Sequence, residues 1–342
     1  MRKILVTGAT GYIGSHTLID LIQNGYDVVS VDNESNSHHS VLQQVQTITG
    51  YKCPHYKVDL CNLEHLRKIF EDHGDIEGVI HFAAAKSVGE SVEKPLFYFQ
   101  NNVLSLINVL QESIRIGIKA FIFSSSCTVY GNVLQSPVDE DTPWQEAASP
   151  YGLTKQMGEQ IIKHAVKNTD MKAINLRYFN PAGAHPSGII GESPRNIAQN
   201  LVPVITETAI GKREKMIVFG DDYPTRDGSC VRDYIHVCDL AHAHTLGLDY
   251  IFKGRQSSEV EVFNLGIGEG LTVFEIIEAF KKETNQPLTY IVGNRRAGDV
   301  VAIYSDYEKA ERLLGWSPRY DVNDIMKTAW EWEKNRQKLE FQ

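Results

Sequence analysis

The chain has 342 residues, of which 42% are hydrophobic and 23% charged, so one large or two interlocked domains with a sizeable core are expected. Its formal net charge of −9 repels the phosphates of nucleic acids and of anionic lipids, so neither is expected as a partner. Five scattered cysteines without a CxxC pair, no recognisable signal peptide and no apolar run of membrane-spanning length favour a protein of the reducing cytoplasm.

The first half of the chain alternates short apolar runs with helical patterns, which is typical of βαβ units. Strands are predicted over residues Lys3–Thr7, Asp27–Val31, Tyr56–Val58, Gly78–His81, Ala120–Ser124 and Ala173–Arg177. Helices are predicted over residues Tyr12–Asn24, Leu96–Gly117 and Tyr151–Lys167. Right-handed crossovers between parallel strands give a Rossmann-like doubly wound α/β sheet, which is the fold class we expect.

After about residue 180 the pattern changes, because Gly, Pro and polar residues crowd residues 180–194 and 219–229. Two further strands, predicted over Val231–Val237 and Val260–Leu265, are expected to return to the first domain. We therefore expect a first domain over residues 1–180 with returning segments near 231–265. A smaller, interleaved C-terminal α/β domain is expected over residues 181–342.

The first predicted strand ends in the turn TGATGYIG (7–14), which leads into a helix. Gly8 permits a tight turn, Gly11 lets backbone N–H groups approach a pyrophosphate, and Gly14 lets the helix pack close to the strand. Asp32, which follows the second strand, can accept hydrogen bonds from the ribose hydroxyls of an adenosine and repels a 2′-phosphate. Because Asn33 and then a glutamate follow it, with no Arg or Lys, the pattern favours NAD over NADP.

Tyr151 and Lys155 are four residues apart, so both side chains lie on one face of a helix. A free tyrosine titrates at about pH 10, which is too high for a base at neutral pH. A neighbouring ammonium group and a positive nicotinamide ring stabilise the phenolate and lower that value. The fifth strand runs into SSSCTVYG (124–131), at the sheet edge where such folds bind ligands, so a hydroxyl there can bind the oxygen that Tyr151 deprotonates.

Longer segments carry a resemblance over nearly the whole chain. They are TGATGYIG (7–14), HFAAAKSVGESVEKP (81–95), SSSCTVYG (124–131), PYGLTK (150–155), RYFNPAGAHPSG (177–188), FGDDYPTRDGSCVRDYIHV (219–237) and RRAGD (295–299). On these motifs the chain resembles the extended short-chain dehydrogenase/reductase family, and within it the branch that epimerises UDP-hexoses at C4. The first and fourth motifs mark only the superfamily, whereas the long segments of the second half are specific to the epimerase branch.

The resemblance implies an NAD-dependent isomerase of galactose and carbohydrate metabolism that interconverts UDP-galactose and UDP-glucose through a transient 4-keto sugar. It implies that residues 1–180 bind NAD and that residues 181–342 bind the UDP-sugar. It also implies a homodimer that packs the helices Leu96–Gly117 and Tyr151–Lys167 of each subunit together. The catalytic residues it implies are Ser126, Tyr151 and Lys155.

Cofactor and substrate contacts also follow from the resemblance. NAD is expected to contact Gly8, Gly11, Tyr12, Ile13, Gly14, Asp32, Asn33, Ser37, Asp59, Leu60, Phe82, Ala83, Lys86, Asn101, Tyr151, Lys155 and Phe179. The UDP-sugar is expected to contact Ser126, Tyr151, Asn180, Asn200, Leu201, Val218, Phe219, Arg232, Arg296, Asp299 and Ile303. Two arginines in that set suit a diphosphate, because guanidinium groups form forked, charge-assisted hydrogen bonds with it.

Other activities on the same fold need other residues. A 4,6-dehydratase or a related decarboxylase carries a carboxylate just after the catalytic Ser or Thr, where this chain has Cys127 and Thr128. C4 epimerisation of UDP-hexuronic acids and a non-catalytic NAD-sensing protein stay open as alternatives. Ile303 is intermediate between the large aromatic residues that exclude N-acetylated sugars and the small residues that admit them, so UDP-GlcNAc and UDP-GalNAc stay open as additional substrates.

Two histidine pairs have a spacing that metal sites use. They are His38 with His39, and His242 with His244. No clustered carboxylates or cysteines accompany either pair in the sequence, so no metal is expected.

Overall fold

The computed structural model of the chain describes residues 1–133, 135–195, 197–296 and 299–340, with the backbone alone for residues 337–340. Its strands are β1 (Lys3–Thr7), β2 (Asp27–Asp32), β3 (His55–Lys57), β4 (Ile76–His81), β5 (Ala120–Ser126), β6 (Lys172–Tyr178), β7 (Asn180–Ala182), β8 (Met216–Phe219), β9 (Val231–Arg232), β10 (Tyr234–His236), β11 (Val260–Leu265), β12 (Leu271–Thr272), β13 (Tyr290–Gly293) and β14 (Ala302–Ile303). Its α-helices are α1 (Tyr12–Gln23), α2 (Val41–Thr49), α3 (Leu63–Asp72), α4 (Val88–Glu93), α5 (Pro95–Tyr98), α6 (Ser105–Ile116), α7 (Pro150–Val166), α8 (Leu201–Ala209), α9 (Val237–Phe252), α10 (Val273–Thr284), α11 (Glu308–Leu314) and α12 (Val322–Glu340).

Seven parallel strands form the main sheet, in the order β11-β6-β5-β4-β1-β2-β3. The chain reverses direction across the sheet between β1 and β4, which is the switch point at which doubly wound sheets bind ligands. The expected fold class is therefore confirmed. Alternate residues of β1 feed opposite faces, as the pleat of a strand requires, since Ile4 and Val6 join one core and Leu5 joins the other.

Helices cover both faces of this sheet. Apolar side chains of α1, α9 and α11 pack on one face, and those of α3, α6 and α7 pack on the other. A third core joins α8, α10 and α12 to β8 in the second half of the chain. Small sheets lie beside that core, with β10 pairing β7, β9 between β12 and β14, and β13 pairing β8. Among the described residues, none of the helices combines the length and apolar character needed to cross a bilayer.

The structure corrects two of the predicted elements. The strand predicted over Val231–Val237 is wrong as one strand, because Asp233 separates β9 from β10 and the two belong to different small sheets. Neither returns to the main sheet, whereas Val260–Leu265 does so as β11 beside β6. The buried Asp233 carboxylate accepts hydrogen bonds from Ser305, Ile267 and Gly268, and these bonds hold the chain between the two short strands.

The helix predicted over Leu96–Gly117 is also interrupted. A π-helical turn at Phe99–Leu104 separates α5 from α6. At this turn the side chain of Asn102 bonds the backbone of Ala85 at both ends, accepting from its N–H at 2.8 Å and donating to its carbonyl at 3.0 Å. The wider turn therefore ties the helix to the loop after β4, and such turns recur at functional sites.

Candidate active site

The turn between β1 and α1 brings backbone N–H groups to the carboxyl edge of the sheet. Gly8 has a left-handed φ of +65°, and a Cβ on it would lie 2.7 Å from the backbone nitrogen of Ala83. A Cβ on Gly14 would lie 2.3 Å from the carbonyl oxygen of Gly8, so helix and turn touch through bare backbone. Gly11 precedes the helix in an extended conformation. The helix therefore presents its positive end to the adjoining cleft, which suits a phosphate group.

Asp32 lies beside this turn, at the end of β2. Its carboxylate accepts the N–H of Thr10 at 3.1 Å and the N–H of Glu34 at 2.7 Å, so two backbone donors hold it in place. Arg195, distant in sequence, donates from Nε to the carbonyl oxygen of Ser37 at 2.7 Å. No arginine directly follows Asp32 in the sequence, and this one comes from a different loop.

Glu34 forms a hydrogen-bonded network behind that loop. Its Oε1 accepts from Nδ1 of His39 at 2.8 Å and from Nε2 of His55 at 3.2 Å, and its Oε2 pairs with Lys57 at 2.9 Å. The Lys57 ammonium and the two imidazoles outweigh burial and lower the pKa of Glu34 to about 2. Ser30 bonds the other nitrogen of His55 at 2.8 Å. This is the one Glu/His grouping of metal-like geometry in the described part of the chain, and Lys57 already neutralises its carboxylate.

The histidine pairs of metal-like spacing have separate contacts. His38 lines the same cleft as the glycine turn, whereas its neighbour His39 bonds Glu34. His242 lies 3.3 Å from the carboxylate of Asp20, and His244 bonds the carbonyl of Leu240 at 2.8 Å. The expectation that no metal binds stays a prediction.

The ends of β5 and α7 bring the three predicted catalytic residues together. The Nζ atom of Lys155 donates to the carbonyl oxygen of Ser124 at 2.6 Å and lies 5.8 Å from the centre of the Tyr151 ring. Ser126 accepts the N–H of Thr128 at 3.2 Å, which orients its hydroxyl at the end of the strand. Ser149 caps α7 by accepting the N–H of Gly152 at 3.1 Å, and a proline opens the first turn.

Burial shifts the pKa of both titratable groups of this trio. It raises the pKa of Tyr151 to about 12, while a hydrogen bond with Ser126 acts in the opposite direction. Burial lowers the pKa of Lys155 to about 7, against the attraction of Glu159. The pair therefore shares one proton over a wide range above neutrality, and a cation placed beside Tyr151 shifts that proton away from the phenol.

One cavity of about 390 Å³ runs from the glycine turn to this trio. All seventeen residues predicted to contact NAD line it, namely Gly8, Gly11, Tyr12, Ile13, Gly14, Asp32, Asn33, Ser37, Asp59, Leu60, Phe82, Ala83, Lys86, Asn101, Tyr151, Lys155 and Phe179. Five of the predicted UDP-sugar contacts line it as well, namely Ser126, Tyr151, Asn180, Asn200 and Leu201. The contacts predicted for the cofactor and for the reacting sugar thus share one space.

The other six predicted substrate contacts lie outside that cavity, as far as the described residues define it. They are Val218, Phe219, Arg232, Arg296, Asp299 and Ile303. Arg296 forms a forked pair with Asp299 at 2.8 and 3.1 Å, and its guanidinium lies 5.4 Å from the centre of the Phe219 ring. Arg232 lies 3.4 Å from Asp299. These four side chains form a second cluster, and Ala297 and Gly298 of the same motif lie outside the described residues.

Ile303 belongs to a small apolar cluster between the two groups. It pairs with Arg232 in register between β14 and β9, and only 4% of it is exposed. Phe179 and Val129 belong to the same cluster, and Cys127 packs against it. Burial raises the pKa of the Cys127 thiol to about 12, so this group is a packing residue without acid–base reactivity near neutral pH.

Several residues that line the cavity were not among the predicted contacts. Glu192 accepts from Lys86 at 3.1 Å and from Asn200 at 2.8 Å, so it joins a predicted cofactor contact to a predicted substrate contact. Tyr178 bonds the hydroxyl of Ser124 beneath Tyr151. Thr10, Ser193, Pro194 and Tyr234 also line the cavity. Thr10 lies inside the glycine turn and was within reach of that motif, whereas the loop residues carry no periodic signal.

Known proteins similar in sequence to this chain carry out chemistry that this site can support. A family model described as GDP-mannose 4,6 dehydratase matches residues 5–329. The UDP-glucose 4-epimerase of Erwinia amylovora is 45% identical over 335 residues, which cover 97% of this chain and 97% of that protein. The two positions just after Ser126 are Cys127 and Thr128, and neither side chain can provide the carboxylate that a dehydratase carries there. The residues therefore agree with the epimerase relative rather than with the dehydratase description.

Two solved structures that resemble this chain are also UDP-glucose 4-epimerases. The UDP-glucose 4-epimerase of Bifidobacterium longum in complex with NAD+ and UDP has a TM-score of 0.94 and 41% identity, covering 98% of this chain and 99% of that one. The enzyme of Stenotrophomonas maltophila, with bound NAD and formylated UDP-arabinopyranose, has a TM-score of 0.95 and 40% identity, covering 99% and 100%. The chain belongs to the UDP-glucose 4-epimerase family of the extended short-chain dehydrogenases/reductases.

Proposed function

We propose that this chain is an isomerase that interconverts UDP-galactose and UDP-glucose by inverting C4 of the sugar with bound NAD. The observation that carries the proposal is the single cavity that joins the glycine turn and Asp32 to Ser126, Tyr151 and Lys155. Identity of 45% to a UDP-glucose 4-epimerase over 97% of the chain supports the same activity. The reaction belongs to galactose metabolism, and we place it in the cytoplasm.

The glycine turn fits a dinucleotide. Side chains at Gly8 and Gly14 would collide with backbone, so these glycines let the turn and the helix pack closely, and the turn lines the cavity in which a pyrophosphate would meet the helix N-terminus. Asp32 is held by backbone donors at the position where a carboxylate binds the adenosine ribose. When bound, NAD supplies the hydride acceptor for C4 oxidation and the donor for its reversal.

The chain's own residues move and hold the proton of the sugar 4-OH. Tyr151, as the phenolate, takes that proton, and the hydroxyl of Ser126 hydrogen-bonds the same oxygen. Lys155, anchored on the carbonyl of Ser124, stabilises the phenolate by its charge. Returning the proton from Tyr151 after the 4-keto sugar has turned over completes the inversion, with no net oxidation.

The sugar must turn over while its nucleotide stays fixed. We assign the UDP grip to the second cluster, with Arg232 and Arg296 on the diphosphate and Phe219 on the uracil. Arg296 and Asp299 are already paired there, so the forked guanidinium is held before UDP arrives. The remaining contacts assigned to the UDP-sugar are Asn180, Asn200, Leu201 and Val218. Apart from Ser126, Tyr151 and Asn180, which contact the sugar, this division gives residues 1–180 the cofactor and residues 181–342 the UDP-sugar.

The direct test is to incubate the purified protein with UDP-galactose, without added NAD, and to separate the products by chromatography. We expect UDP-glucose to form until the two sugars reach equilibrium, because tightly bound NAD is regenerated in each cycle. Bound NAD with no product from either hexose would contradict the proposal and favour an NAD-sensing protein. Turnover confined to UDP-hexuronic acids would contradict the assigned substrate alone.

Replacing Ile303 by Tyr should narrow the range of substrates. Ile303 is 4% exposed and belongs to the cluster that contains Phe179, which itself lines the cavity, so we infer that an added phenol reduces the space left for the sugar. We expect UDP-galactose turnover to stay within a few-fold of wild type and any UDP-GalNAc turnover to fall on the order of 10²-fold. The measurement is kcat/KM for both sugars, with Ile303→Val as the conservative control. Equal loss of both activities would show that Ile303 does not face the sugar.

The helices beside the catalytic residues carry an exposed apolar face that supports a homodimer. Large apolar side chains with at least a third of their surface exposed follow one another on α4 to α7, namely Val88, Val92, Leu96, Phe97, Leu104, Ile107, Ile114, Leu153 and Met157. Contiguous apolar surface of this kind marks an interface in soluble proteins. We therefore propose that α6 and α7 of two copies pack together.

Ile107→Glu is expected to convert the dimer into a monomer, because it puts a charge on the exposed apolar face of α6. Light scattering coupled to gel filtration measures the mass of the particle directly. Ile291→Glu, at an equally exposed isoleucine on β13, is the matched control and should leave the mass unchanged. A wild-type particle with the mass of one chain would contradict the dimer.

A further inference from the structure

A buried ion pair lies directly behind the catalytic residues. Glu159 and Arg177 are both buried, with 4% of each residue exposed. Nε and Nη2 of Arg177 donate to the two carboxylate oxygens of Glu159 at 2.9 and 2.8 Å, and the hydroxyl of Ser125 donates to the same carboxylate. Burying two charges costs free energy unless each charge keeps its hydrogen bonds. Both oxygens of this carboxylate are bonded, so the pair tolerates little displacement of either partner.

The carboxylate of Glu159 joins the three elements that carry the chemistry. On α7, Glu159 follows Lys155 by one helical turn and Tyr151 by two, so the three side chains share one face. On β5, Ser125 lies between Ser124, whose carbonyl holds Lys155, and Ser126. The third element is β6, in which Arg177 precedes Tyr178.

Two further contacts tie β6 to the same place. The Tyr178 hydroxyl bonds Ser124, and Nη1 of Arg177 donates to the Tyr130 hydroxyl at 3.0 Å. The Tyr130 hydroxyl donates in turn to Asn264 of β11 at 2.6 Å. A displacement of α7 along the sheet would therefore have to break the bonds of one carboxylate before it separated Tyr151 from Ser126.

We propose that Glu159 is a positioning residue: its carboxylate fixes α7 against the ends of β5 and β6, and so sets Lys155 and Tyr151 against Ser126 for proton transfer. The inference rests on the proposed epimerase function and adds to it a group that touches neither sugar nor cofactor. It acts through two routes, the geometry of α7 and the electric field at Lys155.

The effect of the Glu159 charge on Lys155 can be measured as a pH dependence of kcat. The groups that face Lys155 are His81 of β4, the Phe123 ring and the Ser124 carbonyl of β5, and Tyr151 and Glu159 of its own helix. Burial lowers the pKa of His81 to about 3, so His81 is neutral, and Tyr151 keeps its proton near neutrality. Glu159 thus brings the negative charge that opposes the loss of the Lys155 proton.

The sign of the pH dependence follows from the shared proton. Below pH 7 both Tyr151 and Lys155 are protonated and no base is present, whereas above it the pair holds one proton and the phenolate form is accessible. Wild-type kcat should therefore rise with pH through a limb near 7. Removing the charge of Glu159 should lower the pKa of Lys155 further and move this limb to lower pH.

The test compares Glu159→Gln with wild type over the pH range in which both are folded. We expect kcat for UDP-galactose at the plateau to fall on the order of tenfold to 10²-fold, since small misplacements cost that much, with KM within about twofold. The acidic limb should shift to lower pH. Glu159→Asp keeps the charge on a shorter side chain, so it should return the limb towards its wild-type position while kcat stays reduced.

A matched control is Glu112→Gln, because Glu112 is a buried glutamate of α6 that pairs with Arg67 at 3.1 Å away from the cavity. It should leave kcat and the limb unchanged. If Glu159→Gln does not fold, Glu159→Gln/Arg177→Met removes both charges together and should also lower the limb, by less than Glu159→Gln, because the cation of Arg177 is lost as well. A limb that does not move in a folded variant, or a KM that rises as much as kcat falls, overturns the inference. Wild-type protein that converts neither hexose overturns the proposed function instead.

Discussion

Replacing Tyr151 by Phe is expected to lower kcat for UDP-galactose on the order of 10³-fold, which is the scale of losing a positioned general base. The ring and its burial are kept, so the cavity should hold its shape and KM should change only a few-fold. The measurement is product formation by chromatography at saturating sugar, with the amount of bound NAD determined after denaturation. Wild type and variant should carry the same amount of NAD, because the phenol is needed for proton transfer rather than for cofactor binding.

Tyr250→Phe is the matched control for this substitution. Tyr250 is a buried tyrosine of α9 on the other side of the sheet from α7, and losing its hydroxyl should leave kcat unchanged within twofold or so, as for a substitution without a catalytic role. Retention of more than about a tenth of wild-type turnover by Tyr151→Phe would show that another group removes the proton. Tyr178, whose hydroxyl bonds Ser124 nearby, would then be the next residue to replace.

Gly14→Ala is expected to abolish the bound cofactor and to destabilise the fold. The new methyl group would lie 2.3 Å from the carbonyl oxygen of Gly8 and 2.9 Å from Cα of Ala9, and backbone atoms at both places cannot rotate away. Overpacking of this kind costs about 1–3 kcal/mol in the free energy of unfolding. The helix must also move away from the turn, so the N–H groups that face the pyrophosphate lose their position.

Denaturant unfolding and the NAD content of the purified protein measure these two effects. Gly74→Ala is the control, because a Cβ there meets no atom within 4 Å and the backbone does not have a left-handed φ. It should leave both the unfolding midpoint and the NAD content unchanged. Full NAD content in Gly14→Ala would mean that the helix adapts and that its close contact with the turn is not what holds the cofactor.

Local patterns in the sequence predicted the first strands, the glycine turn and the α7 pair, because each depends on residues within one or two turns of chain. The strand over Lys3–Thr7 appears with the predicted bounds. The break of the Leu96–Gly117 helix was not predictable in this way, since it follows from the bond between Asn102 and Ala85 across the loop after β4. The split between β9 and β10 has the same kind of cause, a buried carboxylate whose partners lie far along the chain.

The site shows the same division between local and distant causes. Asp32 was predictable from its place after a strand, and its backbone donors lie within the same turn and loop. Glu192 and Arg195 were not, because they belong to an irregular loop whose contacts are with distant parts of the chain, including the bond from Trp332 of α12 to the Glu192 carbonyl. The residues of the second cluster were predicted only from the resemblance across the whole chain, because no short motif around Phe219 or Arg296 indicates a binding site.

The seventh strand of the main sheet has a consequence for how the chain is made. β11 ends at Leu265, and α9, which precedes it, packs against α1 and covers β5. A nascent chain that has emerged only as far as residue 180 therefore lacks one edge of its sheet and the part of one face that α9 and α11 cover. We therefore expect the cofactor half to complete its sheet only after residue 265 has left the ribosome, so that most of the polypeptide is made before the nucleotide is bound.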